Sequence, residues 1–324
     1  MQSPGKVFFS NSGAEANDGL IKLARRFGHA NPQSSGEARY EVITCSRSFH
    51  GRTLGSMSAT AQAKIHEGFD PLLPGFRYVP FNDLSALAEA ITPATTAILF
   101  EPAQGEGGVH VATKEFIEGA AGLCREHDLL LLLDEVQCGF GRCGDLMGWR
   151  LIAPEVKPDG ISWAKGMGGG FPIGSFWTSD RPTGDGTPLS ALLGPGSHGS
   201  TYGGNPLACA ASHAVLSEII EKDLSAHAAN LGASIRETIL GWNHPAVTEV
   251  RGLGLLIGIG LNGGQVEAAE GQTPALAVCL RALELGLLTV PAGPDTVRLL
   301  PPLNVGESEV SEALGTLKNA LGES

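Results

Sequence analysis

The chain has 324 residues, of which 42% are hydrophobic and 17% charged, and a formal net charge of −12. That composition belongs to a folded globular protein rather than a disordered one, and its acidic balance leaves no basic footprint for nucleic acid. No apolar run reaches the ~20 residues of a membrane span, and no stretch reads as a signal peptide. At about 100–200 residues per domain, the length predicts two domains. Cys45, Cys124, Cys138, Cys143, Cys209 and Cys279 are scattered without a C-x-x-C pair. They read as buried free thiols in a reducing compartment, so the expected location is cytoplasmic.

Taken in order, the chain opens with a short strand at Val7-Phe8-Phe9, then turns through Ser10-Asn11-Ser12-Gly13 into a helix. That helix carries Ala16, Leu20, Ala24 and Phe27 at helical spacing. A polar loop over 31–39 leads to a strand from Glu41 to Cys45. A second loop-to-helix turn follows at Ser48-Phe49-His50-Gly51-Arg52. Arg77 to Pro80 predicts a strand, Asp83 to Ile91 a helix, and Ala97 to Phe100 a buried strand that ends on Glu101-Pro102. Behind it lies the loop Gln104-Gly105-Glu106-Gly107-Gly108, and Lys114 to His127 predicts an amphipathic helix. Five leucines, Leu129 to Leu133, then run into Asp134-Glu135-Val136-Gln137 as a strand apolar on both faces. Ile161-Ser162-Trp163 predicts the next strand. Arg181 to Gly196 reads as a surface excursion. Long helices are expected from Pro206 to about Glu221 and from Ser225 to about Leu240. Beyond Val247 the pattern changes to strand-like runs (Leu253 to Leu261, Leu287 to Val290, Thr296 to Leu300) among helices (Pro274 to Leu285, Glu307 to Leu321).

This alternation predicts an α/β fold with a mostly parallel central sheet flanked by helices, followed by a smaller C-terminal α+β domain. The expected domains are residues 1–222 and 223–324. Asp134 precedes Lys165 by 31 residues, close to the roughly 30 of one βαβ unit. Two parallel strands would therefore bring an acid and an amine to the carboxyl edge of the sheet, where ligands of open α/β sheets bind. Two motifs here mislead. Gly139-Phe140-Gly141-Arg142-Cys143-Gly144 matches G-x-G-x-x-G, but Trp149 and Pro154 leave room only for a short, broken helix after it. Asp134-Glu135 imitates the acidic strand end of a nucleoside triphosphatase, but no G-x-x-x-x-G-K-[ST] or G-x-S-x-G accompanies it.

Six further segments go together: Asn11-Ser12-Gly13-Ala14-Glu15-Ala16-Asn17, Phe49-His50-Gly51-Arg52-Thr53, Glu101-Pro102 with Gly105 to Gly108, Asp134 to Gln137, Ala164-Lys165-Gly166, and Ser200-Thr201-Tyr202-Gly203-Gly204-Asn205-Pro206. In this order they resemble the class III (ornithine-type) aminotransferases, which use pyridoxal 5'-phosphate (PLP) on the fold-type-I transferase scaffold. Gln137-Cys138-Gly139 and Ala292-Gly293-Pro294 ahead of Val297-Arg298 bring the resemblance nearest to the branch acting on N-acetylornithine. Cys143 stands where the family has Thr. The family also carries an N-terminal segment ahead of the strand at Val7.

The resemblance implies roles that suit the residue types. PLP needs a lysine for its Schiff base and an acid at its pyridine nitrogen. Lys165 would be the first, moving protons as base and acid in a buried setting given by Trp163 and the glycines, and Asp134 the second. Viewed alone, Asp134 is equally a helix N-cap. Val136 would pack on one ring face, Gln137 near the phenolic oxygen and Phe49 on the other face; loop packing is the plainer reading of Val136 and Gln137. His50 and Gly51 would shape their turn. Ser12, Gly13 and Ala14 would offer the phosphate a helix N-terminus, or would simply cap that helix. Thr201 would reach the partner subunit's phosphate in a homodimer.

Arg52 and Arg298 would bind substrate carboxylates, since a guanidinium pairs with a carboxylate bidentately. Glu106 would switch Arg298 off while a terminal amine reacts. A structural ion pair and a solvated loop carboxylate are the plainer readings of these two. The implied reaction moves the terminal amino group of N-acetylornithine to 2-oxoglutarate by a ping-pong route through pyridoxamine phosphate. Ornithine, succinylornithine and 4-aminobutyrate are the alternative donors, and a truncated inactive remnant with a binding or dimerisation role is the alternative of another class.

Overall fold

The computed structural model describes residues 3–322. In chain order the elements are β1 (Gly5–Ser10), α1 (Gly13–Ala30), β2 (Glu41–Cys45), α2 (Leu54–Ala59), α3 (Ala63–His66), β3 (Phe76–Val79) and α4 (Leu84–Glu89). There follow β4 (Thr95–Phe100), β5 (Ala103–Gln104), β6 (His110–Val111), α5 (Lys114–Glu126), β7 (Leu130–Asp134), α6 (Gly148–Ile152), β8 (Gly160–Trp163) and β9 (Gly174–Ser179). The remainder is α7 (Pro206–Glu221), α8 (Leu224–Gly241), β10 (Val247–Leu253), β11 (Leu256–Leu261), α9 (Pro274–Glu284), β12 (Val290–Pro291), β13 (Thr296–Leu299) and α10 (Glu307–Leu321). Two compact units share these elements. One comprises residues 1–102, 112–139 and 149–217; the other comprises 103–111, 140–148 and 218–324. No helix among the described residues is long and apolar enough to cross a membrane.

The first unit is built on a seven-stranded sheet in the order β1-β9-β8-β7-β4-β2-β3. The pairings β8·β7, β7·β4, β4·β2 and β2·β3 are parallel, while β9 runs antiparallel to both β8 and β1. The leucines of β7 are all buried, because alternate side chains point to opposite faces and both faces are covered. Leu130 and Leu132 join Val42, Ala97, Leu99 and Phe176 against the apolar stripe of α1, where Ala16, Leu20, Ala24 and Phe27 are buried as their spacing predicts. On the opposite face Phe100 meets Phe116 of α5 edge-on at 5.3 Å.

Two expectations change here. The strand β9 has no counterpart in the sequence reading, although all six of its residues are buried. The segment from Arg181 to Gly196 is not wholly surface, since Leu189 is fully buried against the α1 core. Apolar burial overrides a Pro/Gly-rich composition at that position.

The second unit has a four-stranded antiparallel sheet, β10-β11-β13-β12. Ile257, Ile259 and Leu261 of β11 pack with Ile235 and Ile239 of α8, Val278 and Ala282 of α9, and Leu317 and Ala320 of α10. The other face of β11 carries Leu256, Gly258 and Gly260. The run expected as one strand from Leu253 to Leu261 is instead the end of one strand and the whole of the next. Leu253 pairs with Leu256 around a two-residue turn in which Gly254 takes φ +53°. The strand expected over Leu287 to Val290 is reduced to Val290-Pro291. The glycines from Gly139 to Gly144 lie in turns rather than opening a helix, and α6 starts only at Gly148.

Candidate active site

The parallel register of β7 and β8 sets Asp134 directly beside Ser162. The acid and, three residues past Ser162, Lys165 thus leave adjacent strands at one sheet edge. Asp134 is 2% exposed and its carboxylate accepts three hydrogen bonds. Asn17 Nδ2 (2.7 Å) and His50 Nδ1 (2.8 Å) donate to Oδ2, and the Val136 N–H (3.0 Å) donates to Oδ1. Since a carboxylate oxygen only accepts, the proton between His50 and Asp134 belongs to Nδ1. Asn17 in turn donates to the His50 carbonyl (2.7 Å) and accepts from Ser162 Oγ (2.6 Å). Burial makes such a network rigid when every member is satisfied. His50 Nε2 is the exception, buried with no hydrogen-bond partner.

Neither Asn17 nor His50 was singled out by sequence for this carboxylate; His50 was expected to shape its turn. The available signal was Asn17 itself, a polar residue inside the buried stripe of α1 and 1% exposed. Satisfying it requires a partner from another element.

Lys165 begins a 3-10 turn and holds φ +46°. For a residue with a Cβ this left-handed conformation is strained, and such strain gathers at functional positions. Its neighbours Trp163, Ala164, Met167 and Gly168 are buried, but Lys165 itself is exposed, against the buried setting expected from those neighbours. Lys165 stands in the reversal between β8 and the antiparallel β9, just past the end of the buried strand.

At the start of α1, Ser12 Oγ accepts from Glu15 N (3.2 Å), so the plain capping reading holds for its acceptor side. The first N–H groups of the 18-residue helix, those of Gly13 and Ala14, have no intrahelical acceptor and the dipole favours an anion there. Val136 lies over Gly13, where a Cβ would come within 2.7 Å of its Cγ1. Gly51, at φ +137°, lies so close to Ala14 that a Cβ would come within 2.8 Å of its Cα. The Phe49-His50-Gly51 turn is thereby pressed onto the same helix start. Phe49 is half-buried, its N–H donating to Glu101 Oε2 (3.1 Å), and the Arg52 guanidinium stands 5.6 Å from its ring centre. Gln137 is half-buried; Thr201 is exposed.

Gly174 of β9 admits the Ser12 turn, since a Cβ there would fall 2.3 Å from the Ser12 carbonyl oxygen. Gly174→Ala is therefore expected to cost about 1–3 kcal/mol by overpacking. It should also weaken anion binding at α1, measured as a smaller phosphate protection in thermal melts than in the wild type; wild-type phosphate protection in the variant would refute this.

In the second unit Arg298 Nη1 and Glu106 Oε1 form an ion pair at 2.9 Å, with Arg298 7% and Glu106 34% exposed. The two residues expected to act together do meet.

The donor set fits a planar, phosphorylated, pyridine-like group. It offers a buried acid for a ring nitrogen, a lysine on a strained backbone past the adjacent strand, an aromatic ring at Phe49 and a helix N-terminus for an anion. The profile described as "Aminotransferase class-III" matches residues 1–321. The chain is 45% identical over 321 residues to the acetylornithine aminotransferase of Caldanaerobacter subterraneus subsp. tengcongensis, covering 98% of this chain and 76% of the relative. Its fold is similar to the N-acetylornithine aminotransferase of Stenotrophomonas maltophilia K279a, with TM-score 0.78, 33% identity, and 99% and 75% of the two chains covered. It is similar also to the ornithine aminotransferase of Toxoplasma gondii, whose structure is described as having partial PLP occupancy at the active site. There the TM-score is 0.86 with 31% identity, covering 98% and 72% of the two chains.

Proposed function

The chain belongs to the class-III aminotransferases, and on that premise we propose that it uses PLP to move the terminal amino group of N-acetylornithine to 2-oxoglutarate. The observation that carries the chemical part is the buried Asp134 carboxylate, fixed by Asn17, His50 and Val136, on the strand beside the one that presents Lys165. The substrate part rests on the names of the similar acetylornithine aminotransferases.

When bound, PLP supplies an electron sink for the reacting carbon. The protein's share is positioning and proton transfer. Asp134 would keep a proton on the pyridine nitrogen, with its own position set by the three donors. Lys165 Nζ would take a proton from the amino donor's reacting carbon and return it as an acid. Val136 and Phe49 would hold the ring between them, with Gln137 near its phenolic oxygen, and Ser12, Gly13 and Ala14 would bind the phosphate. Arg52 would hold the donor's α-carboxylate. Arg298 would hold the carboxylate of 2-oxoglutarate or glutamate, with Glu106 occupying it in the other half-reaction.

The protein would work as a homodimer in which Thr201 serves the partner's phosphate. In support, Tyr202 and Leu207 beside it are 71% and 65% exposed, an apolar surface suited to a second copy.

The test is spectroscopic. Protein loaded with PLP should absorb in the visible, lose that absorbance on adding N-acetylornithine, and regain it with 2-oxoglutarate. Bleaching by ornithine, succinylornithine or 4-aminobutyrate alone would reassign the donor. No visible band at saturating PLP would overturn the enzyme reading.

A further inference from the structure

Arg251, Gly258 and Arg298 stand in one row across β10, β11 and β13. Residues directly paired across strands share a face of the sheet, so two arginine side chains rise on the same side with a bare glycine between them. The β5–β6 hairpin fills that gap. A Cβ on Gly258 would come within 2.7 Å of Val109 Cβ and 3.3 Å of the Gly108 carbonyl oxygen. Val109 is fully buried there at φ +56°, a conformation that a β-branched residue keeps only under outside constraint.

The constraint includes Arg251. Its Nε donates to the Gly108 carbonyl (2.7 Å), its Nη2 donates to Thr296 Oγ1 (2.8 Å), and its Nη1 pairs with Glu249. Gly108 lies two residues after Glu106, and Thr296 two residues before Arg298 on the same face of β13. One guanidinium therefore fastens together the two backbone segments whose side chains form the Glu106–Arg298 pair. It reaches these three acceptors from three separate nitrogens fixed in one plane, whereas an ammonium has only one nitrogen to donate from.

We propose that Arg251 and Gly258 are positioning residues that set how readily Glu106 releases Arg298, and hence how the enzyme divides its preference between a terminal-amine donor and glutamate. The proposal rests on the carboxylate-binding reading of Arg298. A seated hairpin keeps Arg298 neutralised by Glu106; a loosened one shifts the population toward an Arg298 open to an incoming carboxylate.

The experiment compares kcat/KM for N-acetylornithine and for glutamate as donors in Arg251→Met, Arg251→Lys and Gly258→Ala. Hydrogen exchange of residues 103–111 is followed in the same proteins. Arg251→Met should lower the N-acetylornithine-to-glutamate ratio by about 5–20-fold, within the usual range of coupling between sites. The change should fall in KM more than in kcat, with faster exchange across 103–111. Arg251→Lys should recover part of the ratio, and Gly258→Ala, which pushes on Val109, should move it in the same direction. A wild-type ratio in all three variants despite faster hairpin exchange would overturn the proposal, as would equal losses for both donors. Arg298→Lys separates it from the reading beneath it. If that variant raises KM for 2-oxoglutarate while the Arg251 variants keep the wild-type ratio, only the clamp fails. If KM for 2-oxoglutarate is unchanged in Arg298→Lys, both fail.

Discussion

Lys165→Ala is expected to abolish the visible absorbance of the PLP-loaded protein and to lower turnover by about 10⁴-fold, the upper end of what positioned proton transfer contributes. The fold should survive, because the side chain is exposed and alanine inherits the same left-handed backbone at φ +46°. That backbone gives a second, independent readout. Lys165→Gly relieves a conformation that costs any residue with a Cβ roughly 1–2 kcal/mol, less the entropy that glycine adds to the unfolded chain. In urea, Lys165→Gly should therefore be about 0.5–1 kcal/mol more stable than Lys165→Ala while equally inactive. Retained absorbance and turnover in either variant would remove Lys165 from its proposed role. Equal stabilities would show that the turn relaxes around alanine.

Asp134→Ala should fail differently. Truncation leaves His50 Nδ1–H and one of the two Asn17 Nδ2 protons (the other stays on the His50 carbonyl) without an acceptor in a buried site, and each orphaned donor costs about 1–3 kcal/mol. A loss of roughly 2–5 kcal/mol in unfolding free energy is expected, together with at least a 10²-fold fall in kcat from removing a preorganised charge. Asp134→Asn keeps the volume and one acceptor oxygen, so it should retain more stability than Asp134→Ala yet lose comparable activity. If Asp134→Asn kept wild-type turnover, the proton on the ring nitrogen would not depend on this residue.

Much of this architecture is written in local pattern. The leucine strand, the stripe Ala16-Leu20-Ala24-Phe27 and the spacing of Asp134 and Lys165 each depend on neighbouring residues, and the structure returns them nearly where expected. The parts that stayed hidden depend on partners far along the chain. Asn17 meets Asp134 across 117 positions and His50 meets it across 84, and no periodicity connects such pairs. β9 is hidden because Gly174-Ser175-Phe176-Trp177-Thr178-Ser179 sets its two aromatic residues side by side instead of in alternation, and an antiparallel strand inserted into a parallel sheet needs no helix to announce it. The hairpin of β5 and β6 has two residues per strand, too few for an alternating pattern to be read. Lys165 misled in the opposite direction. Its buried neighbours Trp163, Ala164, Met167 and Gly168 are genuine, but Lys165 lies past the strand end and is exposed between them.

The division of the second unit into separate stretches of chain has a consequence for synthesis on the ribosome. The docking site for Val109 is assembled from β10, β11 and β13, and Arg251 lies 143 residues after the Gly108 carbonyl it holds. At about 5–20 residues per second, the nascent hairpin waits roughly 7–30 s before its anchor leaves the ribosome. During that interval Val109, later fully buried, has no native surface to occupy. A ribosome-stalled chain ending before Arg251 should therefore remain open to proteolysis across 103–111, whereas the same stretch in the finished protein should resist it.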